Sequence, residues 1–126
     1  MAEILIVDDD DIIRDTLFEL FSSDYKCETA DSASNALTKL AANTFDVVLT
    51  DISMPGLNGL DLLNRVLNLY PQTPVIIVSG ITDQEHAEEL LKLGAFDYLL
   101  KPFRLEAVEL SVKRALDYRR GLVAVS

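Results

Sequence analysis

The chain has 126 residues, 49% of them hydrophobic, and a formal net charge of −10. That length and apolar content suit one domain with a real core. The negative balance argues against direct nucleic-acid binding, which needs basic surface, and favours basic partner surfaces; with no apolar run long enough to cross a bilayer, no membrane span is expected.

Met1-Ala2-Glu3 lacks the basic and apolar segments of a signal peptide. The first strand is predicted over about Glu3–Val7, an unbroken apolar run that ends at Asp8-Asp9. A helix follows, with Ile13, Leu17, Leu20 and Phe21 on one face. Asp10 and Asp11 open it, where negative charge meets the positive end of the helix dipole. The second strand, near Tyr25–Thr29, is short and more polar, as an edge strand should be. It carries Cys27, the only cysteine, read as a small strand residue. A lone cysteine excludes an internal disulfide and suits a reducing cytoplasm. The second helix begins near Asp31-Ser32, either of which can cap it, and buries Ala33, Ala36, Leu37 and Leu40. The third strand, Asp46–Thr50, delivers Asp51. Pro55-Gly56 and Asn58-Gly59 mark turns in the loop after it. The third helix runs to about Tyr70, with Leu60, Leu63, Leu67 and Tyr70 on one face, and is ended by Pro71 and Pro74.

The fourth strand, Val75–Val78, leads into Ser79-Gly80. The fourth helix runs from about Asp83 to Leu93 and stops at Gly94, a left-handed cap. His86, the only histidine, is read as a surface residue on it. The fifth strand, Phe96–Leu100, delivers Lys101-Pro102. The fifth helix spans about Arg104 to Arg119, with Leu105, Val108, Val112 and Leu116 at helical spacing. Lys113, Arg114, Arg119 and Arg120 gather near its end, where cations suit the dipole. Strands alternating with single helices imply right-handed crossovers and a parallel sheet covered on both faces. The expected fold is a flavodoxin-like (βα)₅ domain.

In an open sheet of this kind, chemistry collects at the carboxyl ends of the strands. Asp8, Asp9, Asp51 and Lys101 should therefore converge on one edge. Three crowded carboxylates repel one another unless a cation sits among them. A hard divalent ion such as Mg²⁺, with oxygen ligands and waters, answers that need. The first strand-to-helix loop has no Gly-rich phosphate cradle, which argues against a nucleotide or flavin site. The adjacent pair Asp8-Asp9, in place of a DxD element, argues against a haloacid-dehalogenase-type phosphatase.

Four segments at four successive strand ends carry a resemblance. They are Ile6-Val7-Asp8-Asp9, Asp51-Ile52-Ser53-Met54-Pro55-Gly56, Ser79-Gly80 and Tyr98-Leu99-Leu100-Lys101-Pro102-Phe103. Together they resemble the receiver domain of two-component response regulators over about Glu3 to Arg119. Fold alone would not license a function; these residues suggest one. The resemblance implies Mg²⁺-dependent phosphoryl transfer from a sensor histidine kinase or a histidine phosphotransfer protein onto Asp51. It implies that Asp9 binds Mg²⁺ directly, that Asp8 acts through a water, and that the backbone carbonyl of Ser53 is a further ligand. Lys101 would pair with the Asp51 carboxylate and then with its phosphoryl group, with a cis Lys101–Pro102 bond turning it inward. Ser79 and Tyr98 would be the switch pair, and helix four, strand five and helix five the output face.

Ser53 and Ile81, each two residues past a key position, would tune the lifetime of the phosphorylated state. Apolar Ile81 cannot position a water, so slow to moderate self-dephosphorylation is expected. Such a domain is a switch, not an enzyme acting on outside substrates. It assists only its own phosphorylation and dephosphorylation. Residues 1–120 form the expected receiver domain and 121–126 a tail or the start of a linker. An output domain in cis or an effector in trans both fit, the charged, Pro-free helix end favouring the former, and a homodimer through helices four and five is compatible. The competing reading is a degenerate receiver-like module that binds protein without phosphorylation. The intact set Asp8, Asp9, Asp51, Ser79 and Lys101 argues against it.

Overall fold

The unbroken apolar runs become the inner strands of one parallel sheet. The computed structural model describes residues 1–52, 56, 59–80 and 84–125, with backbone alone for 84–86 and 123–125. Its elements are β1 (Glu3–Val7), α1 (Asp11–Phe21), β2 (Lys26–Ala30), α2 (Ala33–Ala42), β3 (Val47–Asp51), α3 (Gly59–Leu69), β4 (Val75–Ser79), α4 (Gln84–Leu93), β5 (Asp97–Leu100) and α5 (Leu105–Val125). The strand order is β2-β1-β3-β4-β5, and every pairing is parallel. This is the flavodoxin-like fold expected, with β2 at an edge. The order reverses between β1 and β3, and a doubly wound sheet leaves a crevice at such a point, beyond the carboxyl ends of the strands.

Why the strands read as continuous apolar runs is visible in the packing. Successive strand residues point to opposite faces, and both faces are covered. Leu5, Val7, Val48, Val75 and Ile77 face one core with Ala33, Ala36, Leu40, Leu62, Leu63, Val66 and Leu90, so α2, α3 and α4 cover that side. Ile4, Ile6, Val47, Leu49, Ile76 and Val78 face the other, with Leu17 and Phe21 of α1 and Val108, Val112, Ala115 and Leu116 of α5. Cys27 stands half-buried on β2, and burial pushes its thiol up to about 11. At neutral pH it is therefore a protonated strand residue, in keeping with the packing role read from the sequence.

Local signals account for the helix ends. The Asp10 carboxylate caps α1, accepting from Ile12 N at 2.9 Å and Ile13 N at 3.4 Å. Ser32, rather than Asp31, caps α2, accepting from Asn35 N at 3.1 Å. After α4, Gly94 takes φ +119. Its N–H bonds Leu91 O and that of Ala95 bonds Leu90 O, both at 3.1 Å, a Schellman ending.

Three expectations are corrected. The buried stripe of α3 is Gly59, Leu62, Leu63 and Val66, while Leu60, Leu67 and Tyr70 pack only partly against it. Six apolar side chains, Leu60, Leu62, Leu63, Val66, Leu67 and Leu69, crowd this helix, so helical spacing alone allows two overlapping stripes. Leu105 begins α5 but is exposed; Ser111 and Ala115 are buried in its stead. Finally, α5 continues past Arg119 to Val125, so the basic cluster is not at its end. Arg119 instead turns back onto the body: Nε lies 2.8 Å from Asp46 Oδ1, and Nη1 donates to Gln72 O at 2.8 Å. Ser53, Met54, Pro55, Asn58, Ile81, Asp83 and the side chain of His86, to which the sequence assigned ligand, turn, lifetime, helix-start or surface roles, lie outside the described residues.

The acidic site at the carboxyl edge of the sheet

Strand register brings the site together. Val7 stands opposite Thr50, Asp51 opposite Val78, and Ser79 opposite Leu100. Asp8, Asp51, Ser79 and Lys101 thus fall at neighbouring strand ends. The Lys101 N–H donates to Ser79 O at 2.8 Å, carrying the β4–β5 ladder one residue further. The Lys101–Pro102 peptide is cis.

The Lys101 ammonium bridges two carboxylates. Its Nζ lies 2.9 Å from Asp8 Oδ2 and 3.3 Å from Asp51 Oδ2. The sequence reading paired it with Asp51; here it is shared, and Asp8 is the nearer partner. Asp8 Oδ1 accepts from Asp10 N at 2.9 Å, so both oxygens of this buried carboxylate are engaged. Burial raises the Asp8 pKa, and this outweighs the bonds from the Asp10 amide and from Lys101 that lower it. Burial lowers the pKa of Lys101, but its hydrogen bond to Asp8 and the charges of Asp8 and Asp51 outweigh that, and the net shift is upward from 10.5. Lys101 is held as a cation.

Asp8, Asp9 and Asp51 can each offer one oxygen within 4.8 Å of the others. A Mg²⁺ ion holds oxygens at about 2.1 Å, which sets opposite ligands about 4.2 Å apart. The trio fits such an ion with a slight contraction or with one place taken by water. Asp9 is exposed, so the site opens to solvent there, while Asp8 and Asp51 are buried. Ser79 is buried at the end of β4. Tyr98 lies within β5, half-buried against the core under α2, α3 and α4.

Two contributors escaped the sequence reading. Asn58-Gly59 was read only as a turn signal, yet Gly59 lets α3 press on the backbone beside Asp51. Its N–H bonds Ile52 O at 2.9 Å. A Cβ there would stand 2.2 Å from Asp51 O and 2.6 Å from Ile52 Cα. Arg14 of α1 was passed over altogether. It donates to the Asp8 carbonyl at 2.8 Å and pairs with Asp11.

Fold and site together define a flavodoxin-like domain built around an acidic crevice that a lysine bridges. The family model described as response regulator receiver domain matches residues 4–113. The DNA-binding transcriptional regulator NtrC of Salmonella typhimurium is 40% identical over 114 residues, covering 90% of this chain and 24% of that protein. The response regulator protein FleR of Pseudomonas aeruginosa is 36% identical over 122 residues, covering 95% of this chain and 26% of its own. A solved receiver domain from Clostridium thermocellum superposes with a TM-score of 0.90 at 32% identity, covering 97% and 99% of the two chains. NtrX from Brucella abortus, solved in complex with ATP, gives 0.92 at 33% identity, covering 98% of this chain and 29% of NtrX. The chain belongs to the response regulator receiver domain family, and it spans about a quarter of the length of the curated relatives it matches.

Proposed function

We propose that this domain is a Mg²⁺-dependent phosphoacceptor switch that takes a phosphoryl group on Asp51 from a histidine kinase or histidine phosphotransfer protein. The observation that carries the reading is the Lys101 ammonium shared by Asp8 and Asp51, with Asp9 in ligand range of both. A carboxylate oxygen of Asp51 attacks phosphorus in line; the O–P bond forms as the P–N bond of the donor phosphohistidine breaks, and the ring, already protonated on its other nitrogen, takes the P–N electron pair and leaves as neutral imidazole. Asp9 and Asp51 would hold the metal through carboxylate oxygens, Asp8 through a water, since both its oxygens already accept hydrogen bonds. Bound there, Mg²⁺ would neutralise charge on the transferring phosphoryl oxygens. Lys101, held charged, is the second cation for the same oxygens.

The burial of Ser79 at the end of β4, beside the Asp51 strand, supports the switch role, in which its hydroxyl would hydrogen-bond the new phosphoryl group. Tyr98 would then repack within β5, shifting the balance between two states of the α4–β5–α5 face. Exposed Leu91, Leu100, Leu110 and Tyr118 on those elements support that face as the one that controls an output domain or an effector. No helix among the described residues is long and apolar enough to cross a membrane; with the lone cysteine, this favours action in the cytoplasm.

The test is incubation with Mg²⁺ and acetyl phosphate, beside an Asp51→Asn variant, read by intact mass. A Mg²⁺-dependent gain of one phosphoryl group, absent in Asp51→Asn, is expected. If no gain occurs and beryllofluoride with Mg²⁺ also leaves the melting temperature unchanged, the phosphoacceptor reading fails and a protein-binding module takes its place.

A further inference from the structure

We infer that Arg14 is a positioning residue for the acidic pair, fixing where Asp9 points; this rests on the reading of the trio as a Mg²⁺ site. The β1 ladder ends at Val7, and the Asp8 N–H still bonds Ala30 O at 3.1 Å. The Asp8 carbonyl has passed beyond the strands. Arg14 Nη1 reaches back from α1 and donates to it at 2.8 Å. The next peptide, between Asp9 and Asp10, is held from its other side by the Asp10 N–H on Asp8 Oδ1 at 2.9 Å. Both peptide planes that flank the Asp9 Cα are therefore tethered. With only two soft backbone dihedrals per residue, these tethers fix the direction of the Asp9 Cα–Cβ bond, so the carboxylate reaches the metal by side-chain rotation alone. Asp9 itself is exposed. No packing of its own side chain does this work.

The plainer role for Arg14 is an ordinary surface pair with Asp11, one helical turn away. The burial of the two partners speaks against that as its whole purpose. The Arg14 side chain is 17% exposed and that of Asp11 81%. A mostly buried side chain whose guanidinium donates to a strand-end carbonyl is oriented by the loop it holds. Ligand-orienting groups of this kind typically govern metal affinity more than fold stability.

The experiment is Mg²⁺ titration by calorimetry on the wild-type chain, Arg14→Met, Arg14→Gln and Asp11→Asn, with melting temperatures in chelator alongside. Arg14→Met keeps the apolar stem and removes the donors. It is expected to weaken Mg²⁺ binding roughly ten-fold or more, with a metal-free melting temperature near wild type. Asp11→Asn breaks the ion pair and leaves the bond to Asp8, and should change Mg²⁺ affinity less than about three-fold. Wild-type affinity in a folded Arg14→Met, or an equal loss in Asp11→Asn, overturns the inference while leaving the site reading intact. Should Arg14→Met fail to fold, Arg14→Gln decides on the same criteria. A wild-type chain that binds no Mg²⁺ overturns both.

Discussion

At Asp8 and Lys101 one ion pair carries two opposite stability effects. The Asp8 pKa is raised, mainly by burial, so the folded state favours its protonated form. Its ionised form is thus a burden at neutral pH, and the burden disappears as pH falls through the raised folded value toward 3.8 and below. In chelator at pH 7, Asp8→Asn should stabilise the fold by roughly 0.5–2 kcal/mol, the range of single stabilising substitutions. The gain should shrink on acidification, as followed by urea midpoints across pH. Lys101→Met should do the reverse. It leaves Asp8 and Asp51 buried without their cation, which costs about 3 kcal/mol when one partner of a buried pair is removed. The Lys101 contribution is complete below 10.5 and is lost as pH rises through its raised value. A destabilised Asp8→Asn, or a neutral Lys101→Met, would contradict this account.

Among the elements, α3 and α5 show how one substitution can have either sign. Gly59→Ala places a methyl against Asp51 O and Ile52 Cα, both backbone atoms that cannot rotate away. The start of α3 must shift, at about 1–3 kcal/mol, and the phosphoacceptor strand end shifts with it. The urea midpoint should fall and phosphorylation by acetyl phosphate should slow. Gly121→Ala meets nothing within 4 Å and lies in an exposed turn of α5. There the change should stabilise by roughly 0.5–1 kcal/mol through helix propensity. The pair also marks what a sequence can reveal. Strands, caps and the acidic carboxyl edge are written in neighbouring residues: an apolar run, then Asp8-Asp9, Asp51 or Lys101. The fifth helix was expected to end near Arg119, and α5 instead runs on through Gly121, because a lone exposed glycine only weakens a helix. Gly59, Arg14 and Arg119 act on backbone carbonyls brought close by the fold, and no local pattern announces a carbonyl. The α3 stripe was misread because Leu60, Leu62, Leu63, Val66 and Leu67 leave too little polar contrast to choose a face.

On the scale of the whole molecule, the acidic site and the Arg119 clasp occupy opposite ends of the sheet. Asp46 joins the clasp to the strands: its Oδ1 meets Arg119, and its Oδ2 accepts from Glu3 N at 2.7 Å at the start of β1. Thr73 adds a bond to Phe45 O at 3.2 Å. Arg119 thus ties α5 to the entry ends of β1, β3 and β4. Arg119→Met should lower stability by about 1.5–3 kcal/mol, the scale of hydrogen bonds to charged groups. Mg²⁺ affinity should not change, because distant sites without shared partners act independently. A joint loss of stability and affinity in calorimetry would mean the two ends are coupled.

The pairing of β1 with β3 also sets a schedule for the folding chain. These strands are separated by the whole of α1, β2 and α2. Their contact closes a long loop, and such contacts form slowly because the closure entropy comes before the reward. Until β3 docks on β1, Asp51 is far from Asp8 and Asp9 and does not repel them. The electrostatic tension of the site is therefore a late event on the folding path. A nascent chain can assemble its first βα units without meeting it.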